Sequence, residues 1–130
     1  MISPLVKYWY VSAAILVGMT FTGAATASPV NLIKDGSFES VVLSNRVAKS
    51  ISSLAGWQVG ANQVEVRNNL VGSAYDGNNF VELDVRKNSW ISQSFATVIG
   101  QTYEVSFFYS PRMGVAESSN GIKASAGQDD

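Results

Sequence analysis

Apolar and polar residues alternate with a period of two in the second half of the chain, and this alternation predicts short β-strands. The clearest run spans residues 103–110. One face of an extended chain there would carry aromatic and aliphatic residues, namely Tyr103, Val105, Phe107 and Tyr109. Because a half-buried strand requires this period, we predict a strand at 103–110 with that face toward a core.

Weaker patterns predict further strands at residues 31–33, 56–59, 64–66, 81–85 and 91–95, with turns rich in Gly, Asn and Asp between them. Residues 34–37 are predicted to form a turn, with Gly36 at a positive φ. Residues 40–55 show no steady period, which predicts a surface loop. No helical stripe appears after residue 27, so the sequence predicts a single all-β sandwich domain.

The first residues have the pattern of an export signal. Lys7 is the only charged residue before an apolar run at 8–21, and small residues follow, ending at Ala25 and Ala27. This order is typical of a secretory signal peptide cleaved after Ala27. A membrane anchor is the alternative, but the strongly apolar part, 11–21, is shorter than the ~20 residues that a bilayer core requires. We therefore predict a signal peptide at 1–27 and an exported domain at 28–130, secreted or at the cell surface or periplasm, without membrane attachment after cleavage.

Composition excludes several classes of function. The chain has no cysteine and no histidine, and its formal net charge is −1. Ser-His-Asp, Cys-His and histidine-ligated zinc mechanisms are therefore excluded, and disulfides cannot hold the fold. Since there is no basic cluster, nucleic acid is not an expected partner. We expect a protein that is not an enzyme.

Six short motifs in one order resemble a known family. They are NLIKDGSFE at 31–39, GW at 56–57, DGNNFVELD at 76–84, ISQSF at 91–95, GQTY at 100–103 and SPR at 110–112. Together they resemble the choice-of-anchor C family of exported bacterial proteins and a related galactose-binding-like domain of unknown function in plant cell-wall proteins. The resemblance covers nearly all of residues 31–122. It implies a galactose-binding-like jelly roll that binds carbohydrate without catalysis of its own.

The C-terminus departs from that family. Family members continue with further strands, whereas the residues after Ile122 have no alternation and no aromatic residue, and they end in two aspartates. We interpret this as a truncated sandwich that lacks strands and leaves an inner edge unpaired.

Aromatic and basic residues are candidates for ligand binding, and the rings that could pack against a sugar are those of Trp57, Tyr75, Trp90 and Phe108. Trp90 and Phe108 fall on strand faces opposite the clear core residues, where a flat ring could pack against the apolar face of a sugar. Trp57 is more typical of a core residue. Arg112, in a loop after Pro111, would either bind an acidic sugar or be solvated.

Glu82 and Asp84 lie two residues apart on one predicted strand face, ~7 Å apart along the strand. Two carboxylates at this spacing are compatible with a glycosidase, and they could also accept hydrogen bonds from sugar hydroxyls. The favoured interpretation is a solvated outer face balanced by Arg86 and Lys87.

The resemblance also implies a structural calcium ion near the N-terminal motif. Asp35 and Glu39, with turn carbonyls near Gly36, would supply the oxygen ligands. The alternative, slightly favoured, is an ordinary turn with a solvated Glu39. The sequence thus predicts an exported carbohydrate-binding module for cell-wall or matrix polysaccharide, with a structural or adhesive surface protein as the alternative.

Overall fold

The computed structural model describes residues 6–10, 30–116, 118 and 120–127, and these residues form strands and loops with almost no helix. All strand pairs are antiparallel, which confirms the all-β prediction. The strands are β1 (Val6–Tyr10), β2 (Val47–Ile51), β3 (Gln58–Val59), β4 (Val64–Asn68), β5 (Asn79–Glu82), β6 (Ile91–Ser92) and β7 (Ser106–Ser110). Within the described ranges, no helix is both long and apolar enough to cross a membrane.

The strands form two sheets. The larger has five strands in the order β2-β4-β5-β1-β7, and the smaller pairs β3 with β6. In the larger sheet, β1 lies between β5 and β7, with Val6 opposite both Glu82 and Ser110. This strand falls inside the predicted signal peptide, whereas the predicted cleavage site at Ala27 lies outside the described residues.

The core lies on one face of the larger sheet. Val64 and Val66 of β4 and Val81 of β5 are fully buried there. Other buried residues of this cluster come from the loops and the smaller sheet, namely Phe38, Leu54, Leu83 and Ile91. Each such side chain contributes roughly 1.5–3 kcal/mol of burial free energy, so this cluster is the main source of stability. Trp57 packs against it partly buried, with ring centroids 5.7 Å from Phe38.

Two predictions about the N-terminal half are wrong. Residues 31–33 form a loop, and the predicted loop at 40–55 contains β2, which pairs along its whole length with β4. Because β2 is an edge strand whose residues are largely exposed, its side chains need not alternate, and the backbone pairing leaves no signal in the sequence.

The turn at 34–37 also differs from expectation in its backbone. The positive φ values belong to Asp35, at 50°, and Phe38, at 63°, rather than to Gly36. Asp35 tolerates this conformation because its carboxylate accepts hydrogen bonds from the Ser40 backbone N–H and hydroxyl. Phe38 is only 1% exposed, so burial of its ring offsets the backbone strain.

Candidate functional site

The face of the larger sheet opposite the core carries charged and aromatic residues, and we call it the second face. Strand alternation explains it: because Val64 and Val66 point to the core, Glu65 and Arg67 lie on the other side of β4. The register places Glu65 opposite Glu82 and Arg67 opposite Phe80. Phe108 of β7 joins the same face, since it packs against Phe80.

Three of these residues, Glu65, Arg67 and Glu82, form an ion-pair cluster with Arg112, which we call the Arg–Glu cluster. Arg67 Nε lies 2.6 Å from Glu65 Oε2, and Arg67 Nη2 pairs with Glu82 Oε2. Arg112 Nη1 lies 3.6 Å from Glu82 Oε1. Two like charges directly opposite on adjacent strands would repel, and the Arg67 guanidinium offsets this repulsion by pairing with both Glu65 and Glu82.

Burial distinguishes the members of the cluster. The side chain of Glu82 is 1% exposed and that of Arg67 is 10% exposed, whereas that of Arg112 is 26% exposed. A buried carboxylate needs a paired cation, and Arg67 satisfies that need. Arg112 is therefore the cluster member best placed to contact a molecule from solvent.

The predicted solvated face of Glu82 and Asp84 is wrong. Both residues are buried, and Glu82 pairs with Arg67 and Arg112, not with Arg86 and Lys87. β5 lies in the middle of the sheet with both faces covered, so alternation there does not separate buried from solvated residues. The strand ends at Glu82, which places Asp84 in a turn where it forms a bridge with Asn88.

Phe108 is covered by a residue from a neighbouring loop. The Tyr75 ring stacks on Phe108 with centroids 3.3 Å apart and planes 15° apart. Beneath it, Phe108 packs on Phe80, which is fully buried. Tyr75 itself is 65% exposed, so it is Tyr75 that presents the aromatic surface to solvent.

Trp90 lies elsewhere in the molecule. It precedes β6 in the smaller sheet, where its carbonyl accepts a hydrogen bond of 2.9 Å from the Gly60 N–H. Its indole lies against Gly60, where an added Cβ would come within 3.0 Å of the ring. The ring is 52% exposed. The two predicted aromatic site residues, Trp90 and Phe108, therefore belong to different sheets.

Asn120 orders the loop that carries Arg112. Its side-chain oxygen accepts a hydrogen bond from the Arg112 N–H at 3.1 Å, and its amide donates to the carbonyls of Arg112 and Val115, each at 3.2 Å. The Tyr109 hydroxyl donates to the Asn120 carbonyl. Burial raises the pKa of Tyr109 above its ordinary value, so this hydroxyl stays a donor further into the alkaline range. These bonds fix the Arg112 backbone beside the second face.

Asp35 and Glu39 hold loops together. Both Asp35 carboxylate oxygens accept hydrogen bonds from Ser40, and Glu39 Oε1 accepts the N–H groups of Asn78 and Asn79, each at 2.8 Å. These hydrogen bonds give both carboxylates a structural role in the loops, which is the alternative to the predicted calcium site. Across the described part of the chain, no three acidic side chains converge to hold a metal ion.

Arg67, Glu65 and Tyr75 were not predicted as site residues, although Tyr75 was among the possible aromatic surfaces. The signal for the first two was the alternation Val64, Glu65, Val66, Arg67, which puts both charges on one face. The register with β5 then brings them to Glu82, and the sequence does not contain that register.

The fold and site define an all-β protein with antiparallel sheets and a partly buried, charged second face. No protein-family model, no curated protein and no solved structure matches the chain.

Proposed function

We propose that this protein is an exported, non-catalytic module that binds cell-wall or extracellular matrix polysaccharide through the second face. The observation that carries the proposal is the exposed Tyr75 ring, stacked on Phe108 on the same sheet face as the Arg–Glu cluster. Sugars are bound by a flat apolar surface together with hydrogen-bonding groups of fixed orientation. The second face offers both.

The supporting chemistry is divided between two residues. Tyr75 supplies a ring that is held flat by Phe108, so little conformational entropy is lost when a sugar packs on it. Arg112 supplies guanidinium N–H donors on the same face, where Glu82 and the Asn120 loop hold it. Such preorganised donors favour recognition of sugar hydroxyls.

We further propose that the two sheets belong to a galactose-binding-like jelly roll of the type that the six motifs resemble. The antiparallel pairing and the absence of a long helix in the described ranges support this architecture. We propose that sugar binding at the second face takes place without calcium, since the predicted calcium ligands Asp35 and Glu39 lie in the loops, where their carboxylates accept hydrogen bonds.

The proposal predicts a difference between two aromatic substitutions. Binding to immobilised cell-wall polysaccharides and to a glycan array would be measured for the wild type, Tyr75→Ala and Trp90→Ala. We expect Tyr75→Ala to weaken binding about tenfold, because it removes the exposed ring of the second face. Trp90→Ala is the matched control, since Trp90 is similarly exposed but lies beside the smaller sheet, and we expect less than a twofold change.

Melting curves of both variants would verify that they are folded. Absence of retention of the wild type on every polysaccharide would rule out the carbohydrate function and favour the structural or adhesive alternative. Retention that depends on Trp90 but not on Tyr75 would place binding on a different surface.

A further inference from the structure

The side-chain amide of Asn120 pairs with the backbone of the loop that carries Arg112. Its Oδ1 accepts the Arg112 N–H at 3.1 Å, and its Nδ2 donates to the carbonyls of Arg112 and Val115, each at 3.2 Å. Asn120 is only 9% exposed, and its own carbonyl accepts a hydrogen bond from the Tyr109 hydroxyl. Both polar atoms of the side chain are therefore bonded, which fixes its orientation inside the loop.

Gly121 follows Asn120, and the two form the only Asn-Gly pair in the sequence. A glycine in this position leaves its backbone nitrogen open to the preceding side chain, because it has no Cβ to obstruct the approach. Gly121 is exposed, and among the described residues no atom lies within 4 Å of the Cβ that another residue would place there. The pair is therefore suited to ring closure between the Asn120 side chain and the Gly121 nitrogen, and the hydrogen bonds of Asn120 oppose it.

We propose that Asn120 is a deamidation site that reacts when the Arg112 loop opens, and that its modification unlocks this loop permanently. The Gly121 nitrogen attacks Asn120 Cγ, so that a bond forms between these two atoms and the bond from Cγ to Nδ2 breaks. Nδ2 leaves as ammonia and takes the proton of the Gly121 N–H. One water molecule then opens the resulting succinimide, which leaves aspartate or isoaspartate at position 120. This inference is independent of carbohydrate binding.

Neither product can rebuild the hydrogen bonds of the amide. An aspartate carboxylate still accepts the Arg112 N–H, but it has no N–H to donate to the carbonyls of Arg112 and Val115. Carboxylate and carbonyl oxygens would then face each other without a proton between them, which is unfavourable at a buried position. Isoaspartate also inserts a methylene into the main chain, which displaces the carbonyl that Tyr109 binds. Because the released ammonia does not return, the loop loses this connection irreversibly.

The first test measures the rate of deamidation by peptide mapping and mass spectrometry at mildly alkaline pH, both in the folded protein and in urea. We expect Asn120 to react about tenfold more slowly in the folded protein, because the reaction requires the loop to open. Gly121→Ala should slow the reaction in urea about tenfold, since the added methyl group obstructs the attacking nitrogen. It should leave the melting midpoint unchanged, since Gly121 is not among the residues with positive φ. Equal rates in the folded protein and in urea, or a rate that Gly121→Ala does not change, would overturn the proposal.

Two tyrosine variants test whether the hydrogen bonds of Asn120 control the reaction. Tyr109→Phe removes the hydroxyl that binds the Asn120 carbonyl, and we expect deamidation in the folded protein to become about fivefold faster. Tyr103→Phe is the matched control, because the Tyr103 hydroxyl accepts the Val98 N–H instead, and the rate should not change. Equal rates in the two variants would contradict control by these bonds.

The effect of the modification on the loop is tested with Asn120→Asp, which reproduces one of the two products. Hydrogen exchange in the peptide 110–116 should become about tenfold faster, through loss of two hydrogen bonds. Asn31→Asp is the matched control, since Asn31 Oδ1 accepts the Ile33 N–H and a carboxylate would do the same. If Asn120→Asp does not fold, aged wild-type protein in which Asn120 has reacted, separated by ion exchange, gives the same readout. Unchanged exchange in this peptide would overturn the unlocking of the loop.

Discussion

Glu82 illustrates how the position of a strand determines what a carboxylate does. On an edge strand it would be solvated, but in β5 it is buried and depends on Arg67 and Arg112 for charge compensation. Glu82 contributes to stability through these ion pairs. Without it, Arg67 and Arg112 would each lose a carboxylate that compensates their charge.

Replacing Glu82 by Gln should therefore destabilise the fold. The substitution keeps the shape of the side chain but leaves the buried Arg67 without full charge compensation, and we expect a loss of about 3 kcal/mol in the free energy of unfolding. Urea denaturation followed by tryptophan fluorescence would measure it. Glu104→Gln is the matched control, since Glu104 is exposed, and it should change stability by less than about 0.5 kcal/mol. Equal effects of the two substitutions would contradict a structural role for the cluster.

Val71 is a site of backbone strain in the loop before Tyr75. It has φ of 66° although it is β-branched, and its side chain is 60% exposed. Asparagine adopts this conformation more readily, so Val71→Asn should raise the free energy of unfolding by about 1 kcal/mol. Val42→Asn is the control, because Val42 is 93% exposed and is not among the residues with positive φ. Thermal melting would detect the difference, and a lower midpoint for Val71→Asn would contradict strain at this position.

The segment around the N-terminal turn is tied to β5 by side chains instead of by strand pairing. Asn79 donates its amide to the carbonyls of Phe38 and Val41, and Glu39 accepts the N–H groups of Asn78 and Asn79. Gly77 leaves the space for this contact, since a Cβ there would lie 2.5 Å from Glu39 Oε1. Glu39 thus connects distant parts of the chain, whereas the Asp35 carboxylate accepts hydrogen bonds from Ser40 within the same segment.

A chelator should accordingly leave the melting midpoint unchanged. The oxygens of Asp35 and Glu39 accept hydrogen bonds, and removal of calcium would break none of them. Differential scanning calorimetry with EDTA, and separately with added calcium, would measure this. Glu39→Ala, by contrast, should lower stability by about 1–2 kcal/mol through loss of two charge-assisted bonds. A midpoint that rises with calcium would restore the ion to the structure.

Alternation predicted β4, β5 and β7 within a few residues, because each strand carries apolar residues at alternate positions of the sequence. It missed β2, whose exposed edge position imposes no pattern, and β1, whose apolar run is indistinguishable from a leader. For the site, Glu82, Phe108 and Arg112 were named from the sequence. The sequence did not predict that these three residues share one face. That arrangement depends on the strand register and on the position of Arg67, and a single sequence gives neither.

Hydrogen bonds of single side chains fasten several loops to the segments beside them. The Gln93 side-chain amide accepts a hydrogen bond from the Lys34 N–H at 2.7 Å and donates one to the Lys34 carbonyl at 2.9 Å. It thus pairs with the Lys34 backbone as a residue of a neighbouring strand would. At the other end, Tyr109 and Asn120 fasten the Arg112 loop to β7. The molecule therefore depends on single polar side chains where longer sheets would use backbone ladders.

This dependence predicts a response to alkaline pH. The folded state raises the pKa of Tyr109 by burial, so above pH ~10 the unfolded chain releases that proton first and stability falls. Below pH ~10 the contribution is fully present. Melting midpoints from pH 8 to 11 should therefore decline more steeply for the wild type than for Tyr109→Phe, which cannot ionise. Parallel profiles would mean that Tyr109 does not contribute.

The Arg–Glu cluster contains two cations and two anions, so its charges cancel locally. A surface whose charges cancel exerts little electrostatic attraction on a charged ligand at distances beyond the ~8 Å Debye length of physiological solution. Added salt therefore has little attraction to screen. Recognition at the second face should then be nearly independent of ionic strength, and uncharged sugars should be held as firmly as uronic acids. Retention that persists in molar sodium chloride would be the expected signature.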